Sequence, residues 1–325
     1  MSSAPVALII FRRPDLTAKV LDAVRAVKPP ALYVIADGPR ADKPDEAQAC
    51  EAARAVIDTV DWDCQIHRHY SDTNLGCGHR PASGIDWLFQ QVESAIILED
   101  DCIPHPSFFG YCDEVLERYR EDERVMHVSG CTYRAQPWDT DKSFFFTRFP
   151  ACWGWATWRR AWQHYDIHCG DWPRLRDSRF MDDVTGEPAV SAYWANRFDE
   201  AWQSEDMIHH TWDYQWAFAC WANSGLAICP RHNLISNIGW GDDATHTFGL
   251  DGDTMALPTF EMGLPLKHPE NVLPDPVLNR QYVEELLLPS ALKWQNRNKK
   301  SSPLNRMIKG ALPGPVKRMI RRVIK

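Results

Sequence analysis

Short apolar runs alternate with helix-forming segments over the first hundred residues, and this alternation limits the fold more than any other feature. The apolar runs are residues 5–11, 32–36 and 95–98, and residues 64–70, with Ile66 and Tyr70 as their apolar members, could form a further strand between them. Helical patterns lie between them, at 14–27, 45–58 and 80–92. Strands that alternate with helices form right-handed βαβ units with parallel strands. Apolar runs without polar alternation are typical of strands buried on both faces. We therefore predict an α/β fold with a Rossmann-like, mostly parallel sheet flanked by helices.

The pattern continues beyond the fourth predicted strand and loosens after about residue 133. Pro104 and Pro106 predict a loop, Ser107 could be the N-cap of the helix that follows, and residues 125–129 predict a further strand. Twelve of the fifteen tryptophans lie between Trp138 and Trp240. Because tryptophan buries a large area, we expect most of them in the core. Prolines punctuate residues 258–289, which we expect to wrap around the body.

Charge is unevenly distributed along the 325 residues. The net charge is −8, yet residues 290–325 carry eleven Lys or Arg and no acid. The acidic body argues against nucleic acid as its partner. Residues 304–325 have a basic amphipathic pattern that would suit an anionic membrane surface. A solubilising end, or a helix docked on the acidic body, explains the same pattern.

The ten cysteines contain no Cys-x-x-Cys pair, which disfavours structural zinc. The N-terminal residues lack a basic leader and a cleavage pattern, and no apolar run reaches about 18 residues. We therefore expect reduced thiols and a cytoplasmic protein, with peripheral attachment to the inner face of the membrane if the tail binds lipid.

Glu99, Asp100 and Asp101 directly follow the apolar run 95–98. Carboxylates at the end of a buried strand repel one another and lose hydration unless a cation neutralises them. Ligands of doubly wound sheets bind beyond the carboxyl ends of the strands, and oxygen ligands suit Mg²⁺ or Mn²⁺. The triplet predicts a divalent cation site. A capping or solvated acidic turn is the alternative.

Polar residues follow two other predicted strands. Asp37, before Gly38, could accept a hydrogen bond from a nucleobase or a ribose, or could belong to a plain turn. Arg13 follows the first strand and Arg80 lies near a predicted helix start. Arginines and helix N-termini suit a diphosphate, although surface arginines are common. The chain has neither a Gly-x-Gly-x-x-Gly nor a P-loop motif, which disfavours a dinucleotide fold and a P-loop.

The order of these features resembles a known family. The chain resembles the GT-A nucleotide-diphospho-sugar glycosyltransferases. The resemblance lies in a strand followed by Arg, a strand followed by Asp-Gly, an Asn-x-Gly loop, and an apolar strand followed by Glu-Asp-Asp and Pro-x-Phe-Phe. The chain more closely resembles a bacterial branch of the N-acetylglucosaminyltransferase I type (family 13). The matching stretches are residues 95–111, 149–162 and 212–231. The resemblance covers about residues 5–245.

The resemblance implies roles for individual residues. It assigns Mn²⁺ coordination to Asp101, ribose or metal-bound water to Asp100, the donor sugar to Glu99, uracil to Asp37, the phosphates to Arg13 and the general base to Asp213. The family has a second acid after this Asp, whereas this chain has Tyr214. Glu205 and Asp206 are rivals for the base. Asp213 could instead accept an indole N–H as a structural carboxylate.

Two further groups are candidates. The glycine-rich segment 239–247 contains His246, which could complete the metal shell or serve a structural role. Trp155 and Trp212 lie beside the matching stretches, and we expect them in the wall of the donor site.

These observations predict a metal-dependent glycosyltransferase. It would move a sugar from a nucleotide-diphosphate donor, with a UDP-sugar favoured, to a hydroxyl of a surface glycan or lipid-linked glycan. Direct displacement of the nucleoside diphosphate would invert the anomeric centre. Residues 1–130 would form the donor half, 131–289 the acceptor half of the same domain, and 290–325 a basic tail. A sugar nucleotidyltransferase and a sugar-nucleotide-binding protein without turnover are the alternatives.

Overall fold

An eight-stranded sheet runs through the protein, for which a computed structural model describes residues 3–239 and 256–301. Its strands are β1 (Val6–Ile10), β2 (Ala31–Ala36), β3 (Gln65–Tyr70), β4 (Ser94–Glu99), β6 (Val125–Ser129), β7 (Phe144–Thr147), β8 (Trp155–Trp158) and β9 (Leu226–Pro230). A two-stranded antiparallel sheet joins β5 (Cys102–Pro104) to β10 (Ile235–Asn237).

The order across the large sheet is β3-β2-β1-β4-β8-β6-β9-β7. The pairings β1–β2, β1–β4, β2–β3 and β6–β9 are parallel. Strand β8 is antiparallel to both β4 and β6, and β7 is antiparallel to β9. The predicted α/β fold, with a mostly parallel sheet flanked by helices, is confirmed. Strands from residues 1–130 and 131–289 belong to this one sheet.

The strands near the centre of the sheet are buried on both faces because helices cover each face. In β1, Leu8 and Ile10 point into one hydrophobic core, and Ala7 and Ile9 point into the other. This explains the continuous apolar runs, since alternate residues of a strand face opposite sides.

The helices connect the strands and form the outer layers. They are α1 (Pro14–Arg25), α2 (Glu46–Val56), α3 (Gly76–Phe89), α4 (Pro106–Arg118), α5 (Arg159–Trp162), α6 (Trp172–Arg176), α7 (Phe180–Thr185), α8 (Pro188–Gln203), α9 (Glu205–His210), α10 (Asp213–Ala222), α11 (Pro276–Tyr282) and α12 (Leu288–Ser301). A short 3₁₀ turn, Ile57–Thr59, follows α2, and a π-helical turn, Val283–Leu287, joins α11 to α12.

Two predicted helix starts need correction. Helix α3 begins at Gly76 rather than at residue 80, so Arg80 lies inside the helix instead of near its N-terminus. The N-cap of α4 is His105 rather than Ser107, because the His105 ring nitrogen accepts the Ser107 backbone N–H at 3.2 Å. The Ser107 hydroxyl instead accepts the Met262 backbone N–H at 2.8 Å.

The C-terminal part of the described chain wraps around the body, as its prolines predicted. The Phe260 N–H donates to the Asn233 carbonyl at 2.9 Å, and the Leu266 N–H donates to Glu114 at 3.1 Å. Residues 290–301, expected in a separate tail, belong to helix α12, which packs against α8. Residues 304–325 lie outside the described residues. Within residues 3–239 and 256–301, no helix combines the length and apolarity needed to cross a bilayer.

Candidate functional site

A cavity of about 1210 Å³ lies at the carboxyl ends of β1, β2 and β4. The three strands are parallel neighbours, so the residues that follow them meet at one edge of the sheet. Seven of the predicted site residues line the cavity, namely Arg13, Asp37, Arg80, Glu99, Asp100, Asp101 and Asp213. The sequence pattern therefore predicted residues that meet in one cavity.

Strand register brings the acidic triplet beside the residues that follow β1. Ile9 lies opposite Glu99 in the parallel pairing of β1 with β4. Beyond this pair, the Phe11 N–H donates to the Asp100 carboxylate at 3.4 Å. The chain after β1 therefore passes directly over the acids.

Arg13 bridges the two aspartates of the triplet. Its Nη2 atom donates to Asp100 and, at 2.8 Å, to Asp101 Oδ2. The side chains of Asp100 and Asp101 are only 5% and 11% exposed. Burial acts to lower the pKa of Arg13, but the two carboxylates outweigh it and the net shift is upward. Arg13 therefore neutralises part of the charge of the two acids.

One guanidinium leaves excess negative charge at the strand end. Burial raises the pKa of Glu99 to about 8, and the carboxylates of Asp101, Asp100 and Asp213 act in the same direction. Burial also raises the pKa of Asp100 to about 6, against the opposing effect of Arg13. Glu99 and Asp100 therefore hold protons more strongly than free carboxyl groups, and additional positive charge would stabilise their ionised forms.

The donor set fits Mg²⁺ or Mn²⁺. These ions take one or two protein carboxylates and complete their shells with phosphate and water oxygens, and Asp100 and Asp101 supply such carboxylates. A Cβ at Gly239 would collide with Asp101 Oδ2, so the backbone that follows β10 lies against that carboxylate. No group of three or more acidic, His or Cys side chains suited to a metal occurs within residues 3–239 and 256–301. His246 lies outside the described residues.

Asp37 shapes a loop at the cavity. Its carboxylate accepts the backbone N–H groups of Leu75 at 2.9 Å and Gly76 at 3.0 Å, and the Asn74 side-chain amide at 3.0 Å. The Gly38 N–H donates to it as well, at 2.9 Å. These N–H groups occupy the carboxylate oxygens of Asp37 that we expected to bind uracil. The Asp37 carboxylate also caps the N-terminus of α3, the kind of position that we expected to suit a diphosphate.

Arg80 is 3% exposed and is held by its neighbour on β3. Its Nη2 atom donates to the His69 carbonyl and contacts His69 Nδ1, both at 2.7 Å. Burial lowers the pKa of Arg80. It therefore adds fixed positive charge to the Asp37 side of the cavity.

Asp213 is the first residue of α10 and is exposed to the cavity. The protein around the cavity still removes enough water to raise its pKa. Other carboxylates accept the indole N–H groups that could have used Asp213: Trp162 donates to Asp86 at 2.7 Å, and Trp172 donates to Asp199 at 2.9 Å. In the described part of the chain, Asp213 is therefore not a partner for indole. The side chains of Glu205 and Asp206 lie outside the described part.

The two tryptophans expected in the wall differ. Trp212 lines the cavity. Trp155 does not, and the expectation that it contacts a donor is wrong. It is 1% exposed and lies behind Trp212, with ring centroids 5.4 Å apart, and it stacks on His127 on β6. Its size is used to fill the core between the sheet and α10.

Sequence reasoning missed the part of the wall formed by α8 and α12. Tyr193 and Arg197 come from α8, and α12 adds Ser290, Lys293, Trp294 and Arg297. The α12 residues follow helical i, i+3, i+4, i+7 spacing, which was the available signal. The run of basic residues around them suggested a solvent-exposed tail instead.

No family model and no curated protein matches this chain. Many solved structures are similar to it, among them the following three at low identity. Mouse xyloside xylosyltransferase 1 is 11% identical, with a TM-score of 0.30 over 66% of this chain and 81% of that chain. The 4-diphosphocytidyl-2C-methyl-D-erythritol synthase of Anaerococcus prevotii is 14% identical, with a TM-score of 0.29 over 48% and 72%. HddC of Yersinia pseudotuberculosis, complexed with GMP-PN, is 8% identical, with a TM-score of 0.31 over 48% and 77%.

Proposed function

We propose that this protein is a metal-dependent glycosyltransferase. It moves a sugar from a nucleotide-diphosphate sugar, with a UDP-sugar as the favoured donor, to an acceptor hydroxyl. One observation carries the proposal: a paired acidic strand end, many basic side chains and a separate carboxylate, Asp213, converge in one cavity. A glycan or a lipid-linked glycan would supply the hydroxyl. The closer likeness to the N-acetylglucosaminyltransferase I type rests on the sequence stretches alone.

The charge of the cavity wall supports an anionic donor. Although the chain has a net charge of −8, eight basic residues line the cavity against five acids. The basic residues are Arg12, Arg13, Arg40, Lys43, Arg80, Arg197, Lys293 and Arg297. A cleft enriched in one sign of charge concentrates ligands of the opposite sign. Such a wall favours anionic substrates, and a nucleotide diphosphate is one of them.

Asp213 has the properties of a general base. An acceptor hydroxyl has a pKa far above 7, so a positioned carboxylate must take its proton as the new bond forms. Asp213 is exposed to the cavity, and its raised pKa makes it a stronger base than a free carboxylate. Proton removal by Asp213 and direct displacement at the sugar carbon would invert the anomeric centre.

The strand-end side of the cavity would hold the leaving diphosphate. Arg13 and the neighbouring basic side chains would stabilise the negative charge that develops there. Asp101 and Asp100 would hold Mn²⁺ or Mg²⁺, which when bound supplies further positive charge for the diphosphate. Asp37 would act indirectly, by fixing the loop of Asn74 at the cavity.

The test is a donor screen with Mn²⁺. Purified protein is incubated with UDP-, GDP- and dTDP-sugars, and release of the nucleoside diphosphate is measured with and without glycoside acceptors. We expect release by the wild type and a loss of about 10²–10⁴-fold in Asp101→Asn. Asp58→Asn is the matched control, because Asp58 is exposed and does not line the cavity. Its carboxylate pairs with Arg68 at 2.9 Å. Equal release by wild type and Asp101→Asn would refute the assigned site.

Two further assays separate the alternatives. A nucleotidyltransferase would join a nucleoside triphosphate to a sugar phosphate and release pyrophosphate. The same purified protein is therefore assayed for pyrophosphate release from these two substrates. A binding protein without turnover would bind UDP with Mn²⁺ in calorimetry and release nothing from any donor. Either result would replace the glycosyltransferase proposal.

A further inference from the structure

Three cationic side chains of the cavity wall come from two helices that pack against each other. Arg197 comes from α8, and Lys293 and Arg297 come from α12, which packs against α8. We refer to these three residues as the cationic wall. Tyr193 of α8 connects this wall to the candidate base, because its hydroxyl lies 2.8 Å from that of Tyr214, the residue after Asp213.

Helix α12 turns its charged face towards the cavity. Ser290, Lys293, Trp294 and Arg297 line it, whereas Ala291 is fully buried in the hydrophobic core. The Trp294 ring contacts the Tyr193 ring, with centroids 5.7 Å apart. Packing therefore fixes the direction in which the lysine and the arginine of this face point.

Arg197 is held in place but retains an unused donor. It pairs with Glu200 at 3.0 Å, and its guanidinium lies over the Tyr193 ring at 5.5 Å. The Arg197 Nε atom is buried without a hydrogen-bond partner among the described residues. Arg197, Lys293 and Arg297 line one concave surface. A concave surface that carries several positive charges attracts an anion.

The position of the wall indicates which substrate would bring the anion. The donor diphosphate is assigned to the strand-end side, with Arg13 and the acidic triplet. The cationic wall is instead linked through Tyr193 and Tyr214 to Asp213, where the hydroxyl to be deprotonated must lie.

We propose that Arg197, Lys293 and Arg297 bind an oxyanion carried by the acceptor, so that the acceptor is a phosphorylated or carboxylated molecule. This inference rests on the proposed function. The oxyanion could be a phosphate, as in a lipid-linked glycan, or the carboxylate of an acidic sugar. Both are recognised by the same charge-assisted hydrogen bonds.

The experiment measures acceptor binding without requiring turnover. Wild-type protein with Mn²⁺ and saturating UDP is titrated with methyl glucoside, methyl glucuronide and methyl glucoside 6-phosphate, and binding is followed by ligand-observed NMR. The test variant is the double substitution Lys293→Gln and Arg297→Gln, and Arg197→Gln is measured separately. The control is Arg120→Gln with Arg124→Gln, because both residues are exposed and pair with local acids.

We expect at least one charged probe to bind wild type more tightly than methyl glucoside, and its affinity to fall about tenfold in the test variants but not in the control. Binding of the phosphate probe alone would assign a phosphate, and binding of the glucuronide alone a carboxylate. Equal binding of neutral and charged probes would overturn the inference. So would a loss of UDP affinity in the test variants with probe binding unchanged, because the wall would then serve the donor.

The proposed function and this inference fail in different ways. Protein that binds a charged probe through the cationic wall, yet releases no nucleotide from any donor, would contradict the transferase and retain the anion site. Protein that transfers sugar to neutral glycosides as efficiently as to charged ones would support the transferase and contradict the anion site. Melting temperatures of all variants identify any loss of folding.

Discussion

The Nη2 atom of Arg13 lies 2.8 Å from Asp101 Oδ2 and joins the chain after β1 to the acids after β4. The same guanidinium bonds Asp100, so one cation holds two nearly buried carboxylates together. Removing one partner of a buried ion pair leaves the other charge uncompensated, which is more destabilising than the net contribution of the pair.

Arg13→Gln should therefore destabilise the metal-free protein. We expect a decrease of about 3 kcal/mol in the free energy of unfolding, at the lower end of the range for breaking a buried pair because Arg13 is partly exposed. Mn²⁺ should restore more stability to this variant than to the wild type, since a dication can replace the lost charge. Urea unfolding with and without Mn²⁺ measures both effects. An equal response of the two proteins to Mn²⁺ would argue against cation binding by Asp100 and Asp101.

Asp213→Asn should lower turnover by about 10²–10⁴-fold and leave the affinity for UDP unchanged. The wild-type rate should fall at low pH, because Asp213 must be ionised to accept a proton. Since its pKa is raised, this fall should occur at a higher pH than for an ordinary aspartate, whose pKa is about 3.9. A pH–rate profile at saturating donor checks the position of the acid limb. Full activity in Asp213→Asn would assign the base to another residue.

His127 should make the protein less stable at mildly acidic pH. This fully buried ring is neutral: its Nδ1 accepts the Trp216 indole N–H at 3.0 Å, and its Nε2 lies 3.1 Å from the Ala151 carbonyl. Burial lowers the pKa of His127 to about 3. Because the folded-state pKa is below the unfolded value of about 6.5, the stabilisation is complete above pH 6.5 and is lost as pH falls towards 3.

The contribution of His127 should approach a slope of about 1.4 kcal/mol per pH unit below pH 6. His127→Gln removes the titrating group while keeping a polar side chain. Denaturant unfolding of both proteins at pH 7, 6 and 5 isolates this contribution from that of the other histidines. The stability difference between them should narrow as the pH falls. A constant difference would show that His127 is not the group that titrates.

Gly78→Ala should disrupt the contact between α3 and α9. A Cβ at this position would collide with the Ile208 carbonyl oxygen and would come 2.8 Å from that of Thr211. Backbone cannot move aside as a flexible side chain can, so we expect a loss of about 3 kcal/mol or more. Gly263→Ala is the matched control, because a Cβ there meets nothing within 4 Å. Thermal unfolding of both variants measures the difference, and similar melting temperatures would contradict the close packing.

Strand-end residues could be predicted because their positions follow from local patterns and one topological rule. Parallel βαβ units place the residues after β1, β2 and β4 at the same edge, so Arg13, Asp37 and Asp101 were found without knowledge of the packing. Their hydrogen bonds could not be predicted. That Asp37 accepts the N–H of Gly76 depends on where α3 begins, which the sequence pattern placed four residues too late.

Tertiary packing decided the remaining differences. Trp155 and Trp212 have the same side chain, and their order from core to cavity depends on how α10 lies across β8. The lining by Lys293 and Arg297 depends on α12 packing against α8, a contact between segments about ninety residues apart in the chain. The hydrophobic periodicity of a single helix does not show which distant helix it packs against.

Helix α12 supplies the cationic wall from a point in the chain far beyond the strands that form the floor of the cavity. On the ribosome, the acids after β4 and the sheet around them emerge long before Lys293 and Arg297 do. A nascent chain can therefore form the strand-end part of the cavity while the cationic wall is still untranslated. The cavity wall is complete only when residue 297 has left the exit tunnel.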